Sequence, residues 1–305
     1  MILNMKSSKL SRRKFLSISA AGAGTLLLGK ELLATSEIPA AGVDPLKMIS
    51  LGKTGIKTTL LGLGTGYNGF NRSSNITRAG VAENVIRSAY EKGIRFFDCA
   101  DAYGTHPYTR SALKDFPRES YVIGTKIWTQ RGGIPEPDRP DAATVVDRFR
   151  KELDTDFIDL VQIHFMTSPT WTDEQKKYMD DLETLKAKKI IKAHGVSVHS
   201  LDALKLAAAS PWVDVVHVRI NPFGESMDSR DPAEVTPVIK KIHDAGKGVI
   251  GMKLIGNGKF RDDSEKINAS IKFTMGLGTV DLIIIGFEKP EQIDDYMSRM
   301  KNTII

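Results

Sequence analysis

The sequence has 305 residues, of which 41% are hydrophobic and 26% are charged, and its formal net charge is +6. These values are ordinary for a globular protein with a sizeable core. Residues 1–41 hold six lysines and arginines against two glutamates, which leaves only +2 for the rest of the chain. A nearly neutral body argues against nucleic acid as a partner. The single cysteine, Cys99, excludes an intrachain disulfide, and we interpret it as a small buried side chain.

The first 41 residues have the pattern of an export signal followed by a linker. A basic segment with the pair Arg12 and Arg13 precedes a mildly apolar, Gly/Ala-rich run that ends at Gly29. The run is shorter than the ~20 residues of a membrane span, so no stable span is expected. The pattern resembles twin-arginine signals, which in bacteria direct already folded proteins to an export machinery. It implies a periplasmic or otherwise exported protein, with a candidate cleavage site after Ser36; an unprocessed tail is the alternative.

Residues 44–305 predict a single domain that begins with a small hairpin and continues with eight strand–helix units. The hairpin turns at Gly55, between short alternating segments in residues 49–58. The predicted strands are residues 60–64, 95–99, 121–127, 157–164, 193–198, 213–220, 249–255 and 282–287. The predicted helices are residues 82–91, 109–116, 142–153, 173–188, 201–209, 233–245, 263–276 and 291–300.

The strands are continuous runs of aliphatic residues, as in residues 281–286, which is typical of a parallel sheet buried on both faces. Eight such units favour a closed (β/α)8 TIM barrel, an α/β fold, over an open doubly wound sheet. The glycines of residues 62–66 resemble a dinucleotide fingerprint only loosely, because no helix follows at once to meet a pyrophosphate. We interpret them as a tight turn at the mouth of the barrel.

Polar side chains follow six successive strands of the predicted barrel. In such barrels the carboxyl ends of the strands form the active-site rim, so these side chains are expected to share one face. They are Asp98, Lys126, His164, Ser197, His199, His217, Arg219, Asn221 and Lys253. Any one of them could be structural, but their occurrence on one rim indicates a functional site.

Asp98 and Lys126 end neighbouring strands, and Tyr103 lies in the loop after Asp98. A carboxylate at the end of a buried strand needs a cationic partner, which Lys126 provides. A nearby ammonium is expected to lower the pKa of a phenol, so that Tyr103 could give a proton to a carbonyl oxygen or take one from an alcohol. His164 would hydrogen-bond and orient that oxygen. No nucleophile stands beside a base, so acyl transfer is not indicated.

The motifs that hold these four residues resemble those of the aldo-keto reductases. The resemblance covers residues 47–300 and rests on Asp-x-x-x-x-Tyr-Gly at 98–104, Thr-Lys at 125–126 and Gln-Ile-His at 162–164, in that order and spacing. Residues 51–56 resemble the hairpin that plugs the base of the family's barrel. The resemblance implies a catalytic tetrad of Asp98, Tyr103, Lys126 and His164. It also implies hydride transfer between a carbonyl or alcohol substrate and NAD(H) or NADP(H).

The resemblance also assigns a cofactor-binding set, in which several residues depart from the family pattern. Val198 stands at a usual asparagine, His217 at a glutamine and Met252 at a tyrosine that stacks on nicotinamide. The usual Lys-Ser pair and Arg for a 2′-phosphate are replaced, so we expect weak discrimination between the two cofactors, with any preference for the non-phosphorylated one. The predicted cofactor-binding residues are Ser197, His199, His217, Met252, Lys253, Gly286, Phe287, Gln292 and Asp295.

Trp128 and Trp171 follow the third and fourth barrel strands and are predicted to wall an apolar substrate pocket. The chain ends soon after the last helix, so the site is expected to be open.

Two other function classes remain. A metal-dependent hydrolase on the same barrel would need a His-x-His pair on the first strand, which offers only Leu and Gly, and we predict no metal site. A non-catalytic nicotinamide-binding sensor is the other alternative, suggested by the altered cofactor contacts. A complete tetrad favours the enzyme.

Overall fold

The computed structural model describes residues 42–305. The predicted export signal and its cleavage site therefore lie outside the described residues. Within residues 42–305, no helix has the length and apolar character needed to cross a membrane.

The chain forms a closed barrel of eight parallel strands preceded by a two-stranded antiparallel hairpin, which confirms the predicted fold. Each barrel strand pairs with the next along the chain, and the last pairs with the first. The hairpin strands are β1 (Met48–Ser50) and β2 (Lys57–Thr59). The barrel strands are β3 (Leu61–Gly64), β4 (Phe96–Asp98), β5 (Val122–Ile127), β6 (Ile158–Met166), β7 (Ile191–Val198), β8 (Val215–Arg219), β9 (Gly248–Met252) and β10 (Leu282–Gly286).

The helices surround the barrel, and several begin at a capping side chain. Asp141, for example, accepts a hydrogen bond from the backbone N–H of Thr144 and so satisfies one free donor of the first turn. The helices are α1 (Asn75–Arg78), α2 (Ala82–Glu91), α3 (His106–Leu113), α4 (Ala142–Leu153), α5 (Trp171–Glu174), α6 (Lys176–Ala187), α7 (Leu201–Ala209), α8 (Pro232–Asp244), α9 (Ser264–Gly276) and α10 (Pro290–Lys301).

Helices α2, α4 and α7 match their predicted bounds, and the differences elsewhere are local. The helix predicted at residues 109–116 begins earlier, at His106, where Pro107 occupies the first turn and needs no N–H partner. The helix predicted at residues 173–188 is divided at Gln175 into α5 and α6. The short α1 was not predicted, because one turn of helix has too little periodicity to detect.

Apolar side chains fill the lower half of the barrel, and the hairpin closes its base. Phe96, Leu160 and Ile250 belong to this interior cluster, and Leu51 of the hairpin loop packs into it without exposure to solvent. A Cβ on Gly248 would come within 2.7 Å of the Leu51 side chain, so the plug and β9 are in close contact. The polar groups of the interior therefore lie toward the opposite, carboxyl end of the strands.

Candidate active site

Asp98 and Lys126 form a buried ion pair inside the barrel. Asp98 on β4 is paired with Gly124 on β5, so Lys126, two residues farther along, faces the barrel interior on the same side of the sheet. The Lys126 Nζ donates to Asp98 Oδ1 at 2.5 Å and to the Cys99 carbonyl oxygen at 3.0 Å. Burial would raise the pKa of Asp98, but Lys126 and His217 outweigh it and hold that pKa at about 2. The carboxylate is thus charged and keeps the ammonium in place.

Tyr103 ends a single 3₁₀ turn, Asp101–Tyr103, and is followed by Gly104 in the left-handed conformation. A side chain at Gly104 would overlap the Arg72 carbonyl oxygen, with its Cβ 1.9 Å away. Glycine is therefore required there, and this turn directs the phenol toward the barrel axis. The Tyr103 hydroxyl lies 3.4 Å from His164 Nε2, and Lys126 Nζ lies 5.1 Å from the centre of the phenol ring.

The expected lowering of the Tyr103 pKa is wrong. Burial raises the pKa of Tyr103 well above its ordinary value, and the charge of Asp98 adds to that rise. The physical reason is that the Lys126 ammonium is hydrogen-bonded to Asp98 and the Cys99 carbonyl, not to the phenol. Tyr103 is accordingly a neutral proton donor in this state.

His164 lies between Tyr103 and Trp128 at the end of β6. Burial lowers the pKa of His164 well below its ordinary value, and Lys126 lowers it further, so the ring is neutral. The edge of Trp128 packs against it, with ring centres 5.2 Å apart. A neutral imidazole in this position can hydrogen-bond a carbonyl or alcohol oxygen next to the phenol.

The residue after His164 has a strained backbone. Phe165 has a φ of +66°, which is rare for a bulky side chain. Its N–H donates to Ser197 Oγ at 2.9 Å, which fixes this conformation, and its ring packs between Trp128 and His199. Ser197 thus holds the strand end that carries His164, and it is buried below the rim.

His217 was predicted to contact the cofactor at the rim, but it lies deeper in the barrel. Its side chain has no exposure to solvent, and its Nε2 is 3.0 Å from Asp98 Oδ1. Burial lowers the pKa of His217 despite the opposing charge of Asp98, so the ring is neutral. The assignment of His217 to the cofactor is therefore corrected: its neighbour is Asp98, because position 217 faces inward one layer below the rim.

A long cleft extends from Asp98 and Tyr103 along the ends of β9 and β10 to one face of α10. Including its open mouth, it holds about 1160 Å³. Six of the nine predicted cofactor-binding residues line it, namely Met252, Lys253, Gly286, Phe287, Gln292 and Asp295. Ser197, His199 and His217 do not line it. Burial lowers the pKa of Lys253 to about 8, with Arg219 and Lys126 adding to the effect.

The far end of the cleft contains two cations that the sequence analysis missed. Arg299 and Arg261 both line it. Arg299 Nε donates to Asp295 Oδ2 at 2.8 Å, whereas Gln292 Oε1 accepts from the backbone N–H of Glu288 at 2.7 Å. The spacing of Gln292, Asp295 and Arg299 at i, i+3 and i+7 would have placed Arg299 on the same helix face.

The two predicted substrate-pocket tryptophans occupy different environments. Trp128 packs beside His164 and Phe165, at the side of the tetrad. Trp171 is fully buried in the outer core, where its Nε1 donates to the Ala203 carbonyl oxygen at 3.3 Å. The prediction for Trp171 is therefore wrong, because the start of α5 turns its side chain toward α7 and away from the rim.

Among residues 42–305, no three or more His, Cys, Asp or Glu side chains are grouped so that they could hold a metal ion. The histidines of the rim have separate neighbours, such as Tyr103 for His164 and Asp98 for His217.

A model of the aldo/keto reductase family matches residues 61–275. An aldo-keto reductase of Glycine max is 27% identical over 228 residues, which cover 72% of this chain and 62% of the relative. The aldo-keto reductase YhdN of Bacillus subtilis is 26% identical over 190 residues, which cover 60% of this chain and 56% of the relative. The chain thus spans less than two thirds of the length of these relatives.

Solved structures show the same fold at low identity. The holo form of an aldo-keto reductase from Bacillus halodurans superimposes with a TM-score of 0.66 at 18% identity, covering 85% of this chain and 92% of that one. A glycerol dehydrogenase from Gluconobacter oxydans superimposes with a TM-score of 0.64 at 17% identity, with the same coverage. At these identities the likeness shows the barrel architecture alone.

Proposed function

The chain belongs to the aldo/keto reductase family, and from that premise we propose that it interconverts a carbonyl and an alcohol with a nicotinamide dinucleotide. The observation that carries the proposal is the meeting of four side chains at one end of the cleft. There Lys126 is hydrogen-bonded to Asp98 and lies 5.1 Å from the centre of the Tyr103 ring, and the Tyr103 hydroxyl lies 3.4 Å from His164 Nε2. Their roles, proposed from this geometry, are one proton donor, one orienting imidazole and one cation anchored by a carboxylate.

The cleft fits an extended dinucleotide. Gly64, Gly66 and Gly286 line it, so a ligand can approach the backbone closely. Among residues 42–305, the hydrogen-bond partner of the Lys253 ammonium is the neutral Asn257 side chain, at 2.7 Å, so the ammonium suits a pyrophosphate. When bound, the nicotinamide ring would supply or accept the hydride. Met252, at the tetrad end of the same cleft, offers a polarisable face for it.

Tyr103 is proposed as the general acid of carbonyl reduction. Its raised pKa keeps the proton on the phenol until the proton is transferred to the developing alkoxide. The Lys126 ammonium, 5.1 Å from the ring centre, favours the phenolate that remains. Neutral His164 hydrogen-bonds the same oxygen and fixes its position. In alcohol oxidation the proton moves in the opposite direction, from the alcohol to the phenolate.

The direct test measures consumption of reduced nicotinamide cofactor by purified protein with a panel of aldehydes and ketones. Turnover that is abolished by Tyr103→Phe, with cofactor binding retained, supports the proposal. Absence of turnover across carbonyl and alcohol panels, in protein that binds the cofactor, would contradict it.

Weak discrimination between NAD(H) and NADP(H) is part of the proposal. Gln292 is neutral and caps α10 with its side-chain oxygen, and Glu288 is anionic, so neither supplies a cation for a 2′-phosphate. The two arginines of this end already face carboxylates, Arg299 bonded to Asp295 and Arg261 at 3.6 Å from Asp262. Titration with both cofactors is expected to give dissociation constants within about tenfold of each other. A larger difference in favour of the phosphorylated form would contradict this part.

A non-catalytic sensor is the second candidate, favoured by one observation. Ser197 and His217, which were predicted to bind the cofactor, are instead engaged with Phe165 and Asp98 inside the barrel. A sensor would bind the dinucleotide with no turnover under any substrate of the panel, and Tyr103→Phe would leave its binding unchanged.

We also propose export through a twin-arginine signal at residues 11–29. Fractionation of cells that produce the full chain tests it. Replacement of Arg12 and Arg13 by lysine is expected to retain the protein in the cytoplasm, and unchanged distribution would contradict it.

A further inference from the structure

A chain of buried polar side chains joins the outside of β5 to the turn that carries Tyr103. His106 is its central member, with an exposure of only 2%. Its Nε2 lies 2.8 Å from Thr125 Oγ1, and its Nδ1 lies 2.7 Å from Glu152 Oε2. Thr125 immediately precedes Lys126 on β5, and His106 follows Tyr103 by three residues. One imidazole therefore links the two segments that supply the proposed proton donor and its cation.

The hydrogen bonds of this link follow from its partners. Burial opposes ionisation of Glu152, but His106 and Arg148 outweigh it and lower the pKa of Glu152 to about 2. A carboxylate only accepts hydrogen bonds, so His106 Nδ1 donates to it. The Thr125 hydroxyl, which can donate or accept, is the partner of His106 Nε2. Both ring nitrogens are satisfied, which fixes the orientation of the ring.

The same chain continues to the other side of Tyr103. Arg148 donates through Nη1 to Glu152 at 2.7 Å and through Nη2 to Asp101 Oδ2 at 2.8 Å. Arg72 donates to the second Asp101 oxygen at 3.1 Å. Asp101 precedes Tyr103 by two residues, so the turn is tied on both sides to the same glutamate of α4.

We propose that His106 is a positioning residue for the Tyr103–Lys126 pair: it clamps the Tyr103 turn to β5 through Thr125 and to α4 through Glu152. Thr125 and Lys126 point to opposite faces of β5, so the clamp acts from outside the barrel on a strand whose inner face carries the ammonium. The expected effect on turnover rests on the proposed function, whereas the clamp itself rests on the hydrogen bonds alone.

His194 provides a matched control. It is also buried on the outside of a barrel strand, and its Nε2 lies 2.9 Å from a helix carboxylate, Glu183 Oε2. It stacks on Trp212, with ring centres 4.3 Å apart, and no hydrogen bond of its side chain leads to the Tyr103 turn. Removing either imidazole breaks buried polar contacts, but only the removal of His106 breaks the clamp.

The experiment compares His106→Leu, Thr125→Val, their double variant and His194→Leu, each with kcat, KM and a urea midpoint. A displaced proton donor is expected to lower kcat by about ten- to hundredfold in His106→Leu, with KM for the carbonyl nearly unchanged. The double variant is expected to be no slower than His106→Leu, because Thr125→Val removes a hydrogen bond that His106→Leu has already removed. His194→Leu is expected to keep kcat at an equal loss of stability. Equal loss of kcat in the two histidine variants, or additive losses in the double variant, would overturn the proposal.

Amide hydrogen exchange supplies a readout that does not depend on turnover. Tyr103 N–H donates to the Ala100 carbonyl oxygen at 3.0 Å, which reports on the turn. Exchange in residues 100–105 is expected to accelerate in His106→Leu and to stay unchanged in His194→Leu. If the wild-type protein turns over nothing, the proposed function fails, and this measurement still decides the clamp: unchanged exchange in His106→Leu would refute it.

Discussion

The two ends of the cleft differ in what fixes their charged groups. At the Tyr103 end, Asp98 and Lys126 form a buried pair inside the barrel, on the inner faces of two paired strands. At the Arg299 end, Asp295 and Arg299 pair one helical turn apart on α10; the Asp295 side chain is about half exposed, and Arg299 is 19% exposed. Strand pairing therefore determines the geometry at the first end, whereas side-chain conformation on a helix surface determines it at the second.

This difference has an energetic counterpart. A buried ion pair that loses one partner leaves a charge with neither water nor counter-ion, whereas an exposed pair is replaced by water at little cost. The Tyr103 end should accordingly be intolerant of substitution, and the Arg299 end should be tolerant. The following predictions test that contrast, beginning with the largest effect.

Tyr103→Phe removes the proposed proton donor and keeps the ring. We expect a loss of turnover of about 10²–10⁴-fold, which is the usual contribution of general acid–base catalysis. The cofactor dissociation constant and the thermal midpoint should stay close to the wild-type values. Steady-state kinetics and calorimetric titration measure both quantities, and a fall in cofactor affinity that accounts for the rate loss would contradict the assignment.

Lys126→Met leaves the Asp98 carboxylate without its cation in the barrel interior. We expect the free energy of unfolding to fall by about 3–5 kcal/mol. Lys176→Met is the matched control, since Lys176 and Asp180 form a pair of similar length, 2.6 Å, whose side chains are both mostly exposed. There the loss should stay below about 1 kcal/mol. Equal losses of unfolding free energy in the two variants, measured by urea denaturation, would show that burial of the Asp98–Lys126 pair does not affect stability.

The Asp98 pair should also make stability depend on pH. The folded pKa of Asp98 is about 2, below the ordinary value of 3.8, so the folded state binds this proton less readily than the unfolded chain. Its contribution, roughly 2 kcal/mol, is then present above pH 3.8 and is lost as pH falls toward 2. Wild type and Asp98→Asn should converge in urea midpoint over that interval. A constant difference down to pH 2 would contradict the lowered pKa.

Arg299→Gln breaks the pair at the opposite end. We expect dinucleotide affinity to change by less than about tenfold and kcat to be unaffected, because this group lies far from the tetrad along the cleft. Lys151→Gln, which breaks an exposed i, i+4 pair with Asp147, controls for a general effect of lost surface charge. A larger loss of affinity in Arg299→Gln would show that the Arg299 end is as specific as the Tyr103 end.

Sequence reasoning succeeded for features that follow from regular secondary structure. The alternation of apolar strands and amphipathic helices predicted the barrel, and the residues at two neighbouring strand ends predicted one pair of side chains that meet inside it. Asp98 and Lys126 form this pair, because adjacent parallel strands leave little freedom at their ends.

Sequence reasoning failed for properties that depend on the surroundings of a side chain, namely its direction and its pKa. Trp171 lies just beyond a strand end but turns into the outer core, and the spacing in the sequence does not reveal that direction. The pKa of Tyr103 depends on which acceptors the Lys126 ammonium prefers, and Asp98 with the Cys99 carbonyl takes that role. Arg299 lies one turn of α10 beyond Asp295, the last residue of the resembling motif, so the motif does not predict it.

Leu51 and the hairpin around it close the amino end of the barrel, so the interior opens only toward the carboxyl ends of the strands within residues 42–305. A molecule that reacts at Tyr103 must therefore arrive and depart through one passage, which it shares with the near end of the cleft. Molecules that use a single passage must enter and leave one after another. A compound lodged at the tetrad would delay the exchange of whatever occupies the cleft behind it.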